Sequence, residues 1–380
     1  KSTWKHFLFN SFYFLYMPYL YLILILLFWS CKGEKKIENN IEKSTATSSK
    51  EEVKYVNSIR ILSPEKNALL SYNDLIDIEF SVKEKFSVDS IQIFWEGKKI
   101  TSQKDCKSYS FRLPSGKTGK QTLKVIAFHP DNKKGVGSVS IVLKPDSAPQ
   151  KYNYEVVKTY SHDPKAYTQG LVYQDNFMYE STGQYGESGI RKYDMKDGKV
   201  LSVLNIDSKL FGEGITIYKD KIYQLTWTSG QGFIYDLKTF SLESTFRYNT
   251  QGWGITTQDD QLIMSDGSHK LYHIAPSSFG IIQETEVYDH NGPVKNLNEL
   301  EYIDGLVWAN VWMSNRIVMI DPETGEVKGE IDLTNLLPAS DQRQLDDSDD
   351  VLNGIAWNPE KRTVYLTGKR WPKLFEIKIK

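Results

Sequence analysis

The chain of 380 residues balances 47 Lys and Arg against 48 Asp and Glu, a formal net charge of -1, which removes any electrostatic case for nucleic-acid binding. Its 40% hydrophobic and 13% aromatic content excludes a disordered chain, and the 23 Tyr and 9 Trp favour β-structure. With two cysteines, Cys31 and Cys106, a disulfide-stapled fold is excluded as well.

In chain order, residues 19–30 form an unbroken, mostly apolar run that ends at Cys31. Its length suits the core of a signal peptide better than a spanning helix. Ser30 followed by Cys31 resembles the lipobox of bacterial lipoproteins, although Phe28 and Trp29 are bulkier than that pattern usually carries. Residues 1–31 are therefore expected to be a signal or lipoprotein-type anchor segment with Cys31 as the lipidated residue. An uncleaved N-terminal anchor is the alternative. Either would attach the protein to a membrane, and the lipoprotein reading places it in a bacterial cell envelope, exported and lipid-anchored. Residues 32–57 are rich in Lys, Glu, Asn, Ser and Thr, too polar to bury a core, and are expected to be a flexible tether.

From residue 58 to 147 the pattern changes. Ile76, Ile78, Phe80 and Val82 alternate with Asp77, Glu79 and Ser81, the period-2 signature of a strand with one buried face. Similar strands are expected at 90–95, 109–113, 122–128 and 138–143, with turn residues between them. This spacing predicts a small immunoglobulin-like β-sandwich. Cys106 and His129 are expected to be structural or incidental there. Residues 144–149, Lys-Pro-Asp-Ser-Ala-Pro, are expected to be a linker.

Residues 152–380 repeat one phrase five times. Gln169-Gly170-Leu171, Glu213-Gly214-Ile215, Trp253-Gly254-Ile255, Asn298-Glu299-Leu300 and Asn353-Gly354-Ile355 recur at spacings of 44, 40, 45 and 55 residues. A period of about 40–50 residues with several short strands per unit predicts a β-propeller. The last unit lacks a fourth strand, and residues 154–160 precede the first unit as a spare one. Pairing the two would close a five-bladed ring and remove an exposed edge. No segment has the period of a long helix.

A propeller brings equivalent positions of its blades together at one axis. Gln169, Glu213, Trp253, Asn298 and Asn353 are thus expected to share a pocket. Trp227 and Trp312 each follow a leading residue by 14 positions, and Lys369 follows Asn353 by 16, so all three should line the same mouth. One carboxylate among aromatic walls is disfavoured as a charge by desolvation, whereas a nearby Lys favours it, so the direction of its pKa shift stays open. Lys or amide donors can stabilise an oxyanion, and Trp faces can hold an ammonium. The set suits a small substrate carrying an amine and a carbonyl. No Ser-His-Asp arrangement is present. His269 and His273, at i and i+4, fall in a turn and a strand, which makes a zinc enzyme an unpromising reading.

The phrases His162–Gly170, Tyr179–Gly186, Phe211–Thr216, Gln224–Trp227, Met264–Gly267, Leu297–Tyr302, Ala309–Trp312, Leu352–Ala356 and Thr367–Pro372 strongly resemble the plant and bacterial glutaminyl-peptide cyclotransferases, a family of five-bladed propellers. The resemblance covers residues 152–380. It implies cyclisation of an N-terminal Gln of peptides or proteins to pyroglutamate with release of ammonia, an acyltransferase reaction. It implies Glu213 as general acid/base, with Lys369 and Asn298 in the catalytic set. Gln169 and Asn353 would bind substrate, beside an aromatic wall of Tyr167, Phe211, Trp227, Trp253 and Trp312. Tyr167 stands where the family usually has Phe, and Gln251 where it usually has Glu. No cofactor is required by this chemistry, and a structural metal in the tunnel is compatible with it. Two other classes compete: a calcium-dependent, lactonase-like propeller hydrolase, which chelation would inactivate, and a non-catalytic propeller that binds a ligand without turnover.

Overall fold

The computed structural model describes residues 52–104, 106–345 and 348–380. The expected anchor segment, Cys31 and most of the expected tether lie outside the described residues. The tether ends earlier than expected, because Lys54–Val56 forms a strand parallel to Lys133–Gly135.

Two sheets face each other in the N-terminal part. Ile59–Ser63, Leu75–Val82 and Ser108–Arg112 make one. The other runs in the order Lys98–Gln103, Ser90–Trp95, Gly119–His129 and Lys133–Lys144, and both Lys54–Val56 and Leu69–Ser71 add to its last strand. The expected alternation holds: Ile78 and Phe80 are buried while Asp77, Glu79 and Ser81 are exposed. Ile78 and Phe80 meet Ile91, Ile93, Leu123, Val125 and Ile141 in one core. Cys106 packs against this core. His129 is buried between Ser58, whose Oγ lies 2.6 Å from Nε2, and the Ser87 carbonyl, 2.7 Å from Nδ1.

Five four-stranded antiparallel sheets follow. The first is Thr168–Gln174, Phe177–Thr182, Gly189–Asp194 and Val200–Asn205. The second is Gly212–Tyr218, Lys221–Thr226, Gln231–Asp236 and Leu242–Arg247. The third is Ile255–Gln258, Gln261–Ser265, Lys270–Ile274 and Ile281–Glu286. The fourth is Leu297–Ile303, Leu306–Val311, Arg316–Ile320 and Val327–Asp332, extended by a parallel edge strand, Gln150–Tyr152. The fifth is Leu352–Asn358, Thr363–Gly368 and Lys373–Ile379, completed by Tyr154–Ser161 from the start of the repeats.

Each first strand packs against the first strand of the next blade, and Leu352–Asn358 returns to Thr168–Gln174, so the ring closes. The apolar cores are the seams between blades. Tyr179 and Ile190 of the first blade meet Ile215 and Ile222 of the second. Leu171 and Met178 of the first meet Ala356, Tyr365 and Leu374 of the fifth. Each fully buried Ile or Leu in a seam contributes about 1.5–3 kcal/mol, so neighbouring blades hold one another by burial. The one α-helix among the described residues, Ala339–Gln342, lies in the long connection between the fourth and fifth blades.

Candidate functional site

The leading residue of the repeated phrase sits at an irregularity in the ladder. Pairing slips between Thr168 and Gly170, between Gly212 and Ile215, between Leu297 and Leu300, and between Leu352 and Ile355. Such a bulge re-aims a side chain at the end of a strand. In four blades the residue so re-aimed is Gln169, Glu213, Asn298 or Asn353. In the third blade Trp253 precedes the strand that begins at Ile255. In four of the five phrases a glycine follows and allows the inner strands to approach closely: a Cβ on Gly214 would stand 2.7 Å from the Trp253 carbonyl oxygen.

The result is a cavity of about 330 Å³ at the starts of the inner strands. Tyr167, Gln169, Phe211, Glu213, Trp227, Trp253, Asn298, Trp312 and Lys369 line it, together with Gln184 and Asp349. Asn353 does not line it. Fully buried, Asn353 donates from Nδ2 to the Thr168 carbonyl at 2.9 Å and to Gln169 Oε1 at 3.1 Å. Its expected place in the pocket is corrected: it fixes the Gln169 amide from behind. Gln169 Nε2 in turn donates to Glu213 Oε1 at 3.2 Å.

Glu213 is 4% exposed, Lys369 4% and Asn298 2%, so the polar groups of the cavity lie deep. Burial pushes the Glu213 carboxyl well above its usual range; Lys369 opposes this and Asp349 adds to it. Desolvation therefore settles the direction that the sequence left open. The Lys369 ammonium is held below its usual value by burial, against the pull of Asp349 and Glu213. Asn298 Oδ1 is buried without a hydrogen-bond partner, an acceptor available to an amine or amide N–H of a bound molecule.

Asp349 organises one wall. It accepts hydrogen bonds from Tyr167 Oη and from Trp312 Nε1 at 2.8 Å, and its carboxylate lies 3.7 Å from Lys369 Nζ. Lys369 Nζ also donates to Tyr167 Oη at 3.4 Å and stands 5.7 Å over the Trp312 ring. The aromatic rings meet edge to face: Tyr167 and Phe211 at 6.0 Å, Phe211 and Trp227 at 5.7 Å, Trp253 and Trp312 at 5.5 Å. Gln251 accepts both the Trp227 and the Trp253 indole N–H on Oε1, at 2.7 and 2.9 Å.

Asp349 and Gln184 escape the sequence reading because neither belongs to the repeat. Asp349 stands in a polar run between blades, and Gln184 reaches the cavity from a left-handed turn position, φ 86°. Among the described residues no group of three or more His, Cys, Asp or Glu is arranged to hold a metal ion. His273 Nε2 lies 3.1 Å from the Pro322 carbonyl and 3.2 Å from Thr285 Oγ1, in a packing role.

This arrangement can move a proton through one carboxylate, stabilise an oxyanion with an ammonium and amides, and enclose a small cationic group in aromatic walls. The chain is similar to proteins already known. The glutamine cyclotransferase family matches residues 133–379. A glutaminyl-peptide cyclotransferase of Arabidopsis thaliana is 42% identical over 231 residues, which is 60% of this chain and 71% of that protein. The crystal structure of Myxococcus xanthus glutaminyl cyclase aligns with a TM-score of 0.57 at 33% identity, over 61% of this chain and 98% of that one.

Proposed function

The chain belongs to the glutamine cyclotransferase family, and on that premise we propose that it is a glutaminyl-peptide cyclotransferase in which Glu213 is the general acid/base. The carrying observation is the single buried carboxylate, raised in pKa, within a cavity it shares with Lys369 and Asn298.

The substrate is a peptide or protein with an N-terminal Gln. Its α-ammonium gives a proton to the Glu213 carboxylate, a transfer favoured by a carboxyl whose pKa lies above the usual range. The freed amine attacks the γ-amide carbon. A C–N bond forms, a five-membered ring closes, and the carbonyl π electrons move to oxygen. Holding the Gln side chain folded in a small cavity supplies the proximity this intramolecular step needs. Lys369 Nζ and an amide N–H of Asn298 or Gln169 stabilise the oxyanion. Glu213 then hands its proton to the departing nitrogen as the old C–N bond breaks and takes the surplus proton from the ring nitrogen. Ammonia leaves and pyroglutamate remains. No step uses a cofactor.

The test is ammonia release from a Gln-initiated dipeptide, with and without chelator, by the parent protein and by Glu213→Gln. The expected result is chelator-resistant release of ammonia with a cyclised product, lowered by about 10²–10⁴-fold in the variant, the usual contribution of a positioned proton carrier. Release abolished by chelation would move the reading to a metal-dependent hydrolase. Near-normal turnover in Glu213→Gln would remove Glu213 from its role.

The proposal extends to location. The apolar run 19–30 ending at Cys31 supports an exported protein, lipid-anchored at Cys31 in a bacterial cell envelope.

A further inference from the structure

We propose that Tyr185 and the outer face of Trp227 form a subsite for the side chain that follows Gln in the substrate, and that this subsite takes aromatic or large aliphatic side chains. The proposal rests on the cyclase reading and deepens it.

At about 330 Å³ the cavity is at the small end of the roughly 300–1,000 Å³ range of ligand sites, room for one residue and not for an extended peptide. The groups that serve the reaction, Glu213, Lys369 and Asn298, are all buried within it. A peptide whose first residue fills the cavity must therefore leave through the mouth, and its second side chain must lie against the rim. The rim there is aromatic. Tyr185 follows Gln184 of the cavity wall and is 55% exposed; Trp227 is 37% exposed. Both rings stand edge-on to the same half-buried ring of the wall, Phe211, at 5.5 Å for Tyr185 and 5.7 Å for Trp227. The Trp227 indole is held by its hydrogen bond to Gln251. Two exposed rings thus flank Phe211, and the Trp227 ring is held in place beforehand, the preorganisation that lets an apolar contact contribute to binding. Large exposed apolar side chains continuous with a cavity mark a place where something apolar is received.

The experiment compares kcat/KM for Gln-Phe, Gln-Leu, Gln-Gly and Gln-Glu amides in the parent protein, Tyr185→Ala and Tyr185→Phe. The parent is expected to favour Phe and Leu over Gly and Glu by about two- to tenfold, through KM, the range of one ring contact. Tyr185→Ala is expected to lose most of this preference while turning over Gln-Gly at the parental rate, and Tyr185→Phe to keep it. Turnover of all four at equal kcat/KM would overturn the subsite and leave the cyclase reading standing. An equal loss on all four in Tyr185→Ala would also overturn the subsite. No turnover of any amide by the parent would overturn both.

Discussion

At the scale of single residues, the site is a balance of three charges. Burial holds Glu213 protonated at higher pH than an ordinary carboxyl; Lys369 pulls its pKa down and Asp349 pushes it up. In the proposed mechanism Glu213 must be ionised to accept the substrate's proton, so its titration is expected to form the acid limb of the kcat/KM profile, above the usual carboxylate range. Asp349→Asn removes a neighbouring negative charge. That relieves the ionised form of Glu213, and the limb moves to lower pH. Lys369→Met removes the neighbouring positive charge, the limb moves to higher pH, and kcat falls with loss of an oxyanion donor. Measured pH profiles of the two variants should therefore be displaced in opposite directions. Displacement in one direction, or none, would mean that the limb belongs to another group. Asp349 also illustrates where sequence reasoning stops. Its importance comes from Tyr167, Trp312 and Lys369 converging on it from three distant points of the chain. No local pattern marks a residue of that kind.

At the scale of elements, the blades were legible because each repeats the same solution to burying a strand. The alternation of Ile76 to Val82 and the recurring phrase both follow from periodicity, and so did the closing role of Tyr154–Ser161. The ladder slips that aim the site residues were not legible, since a bulge depends on the partner strand's register. Nor was the consequence of the fourth phrase, which has Glu299 where the other four have glycine. An innermost strand leaves backbone N–H groups that no further strand of its own blade pairs. Glu299, 1% exposed, accepts two of them: Leu171 N of the first blade at 3.2 Å and Ile355 N of the fifth at 2.9 Å. It braces the ring where the first blade meets the last. Glu299→Gly restores the residue of the other repeats yet strands two buried donors, so it is expected to destabilise by on the order of 2–4 kcal/mol. Denaturant unfolding at fixed pH measures this directly. An unchanged midpoint would mean that the brace carries no net energy and that water serves the two donors equally well.

At the scale of the whole molecule, the sandwich is joined to the propeller by backbone and side-chain hydrogen bonds. Thr118 donates from N to the Thr324 carbonyl at 2.8 Å and from Oγ1 to the Glu286 carbonyl, and Lys120 N donates to Glu286 Oε2 at 3.2 Å. Gly119 passes between them with φ 81°, where a Cβ would stand 2.3 Å from Glu286 Oε2. Lys144 Nζ adds a bond to the His290 carbonyl at 2.6 Å. Every residue lining the cavity comes from the propeller, from Tyr167 to Lys369, so the sandwich supplies none of the chemistry. A module that lends no residue to the cavity, between the proposed N-terminal anchor and the propeller, fits a spacer that takes no part in turnover. The proposed anchoring then separates location from catalysis. In the full chain expressed in a bacterial host, Cys31→Ser should abolish incorporation of labelled palmitate and move the protein out of the membrane fraction. Its kcat and KM on a soluble Gln dipeptide should stay at the parental values, because Cys31 lies outside residues 152–380 of the repeats. Label retained in Cys31→Ser would place the lipid elsewhere, and membrane retention without label would favour the uncleaved anchor. A fall in kcat on release from the membrane would show that the anchor acts on the site and is more than an attachment.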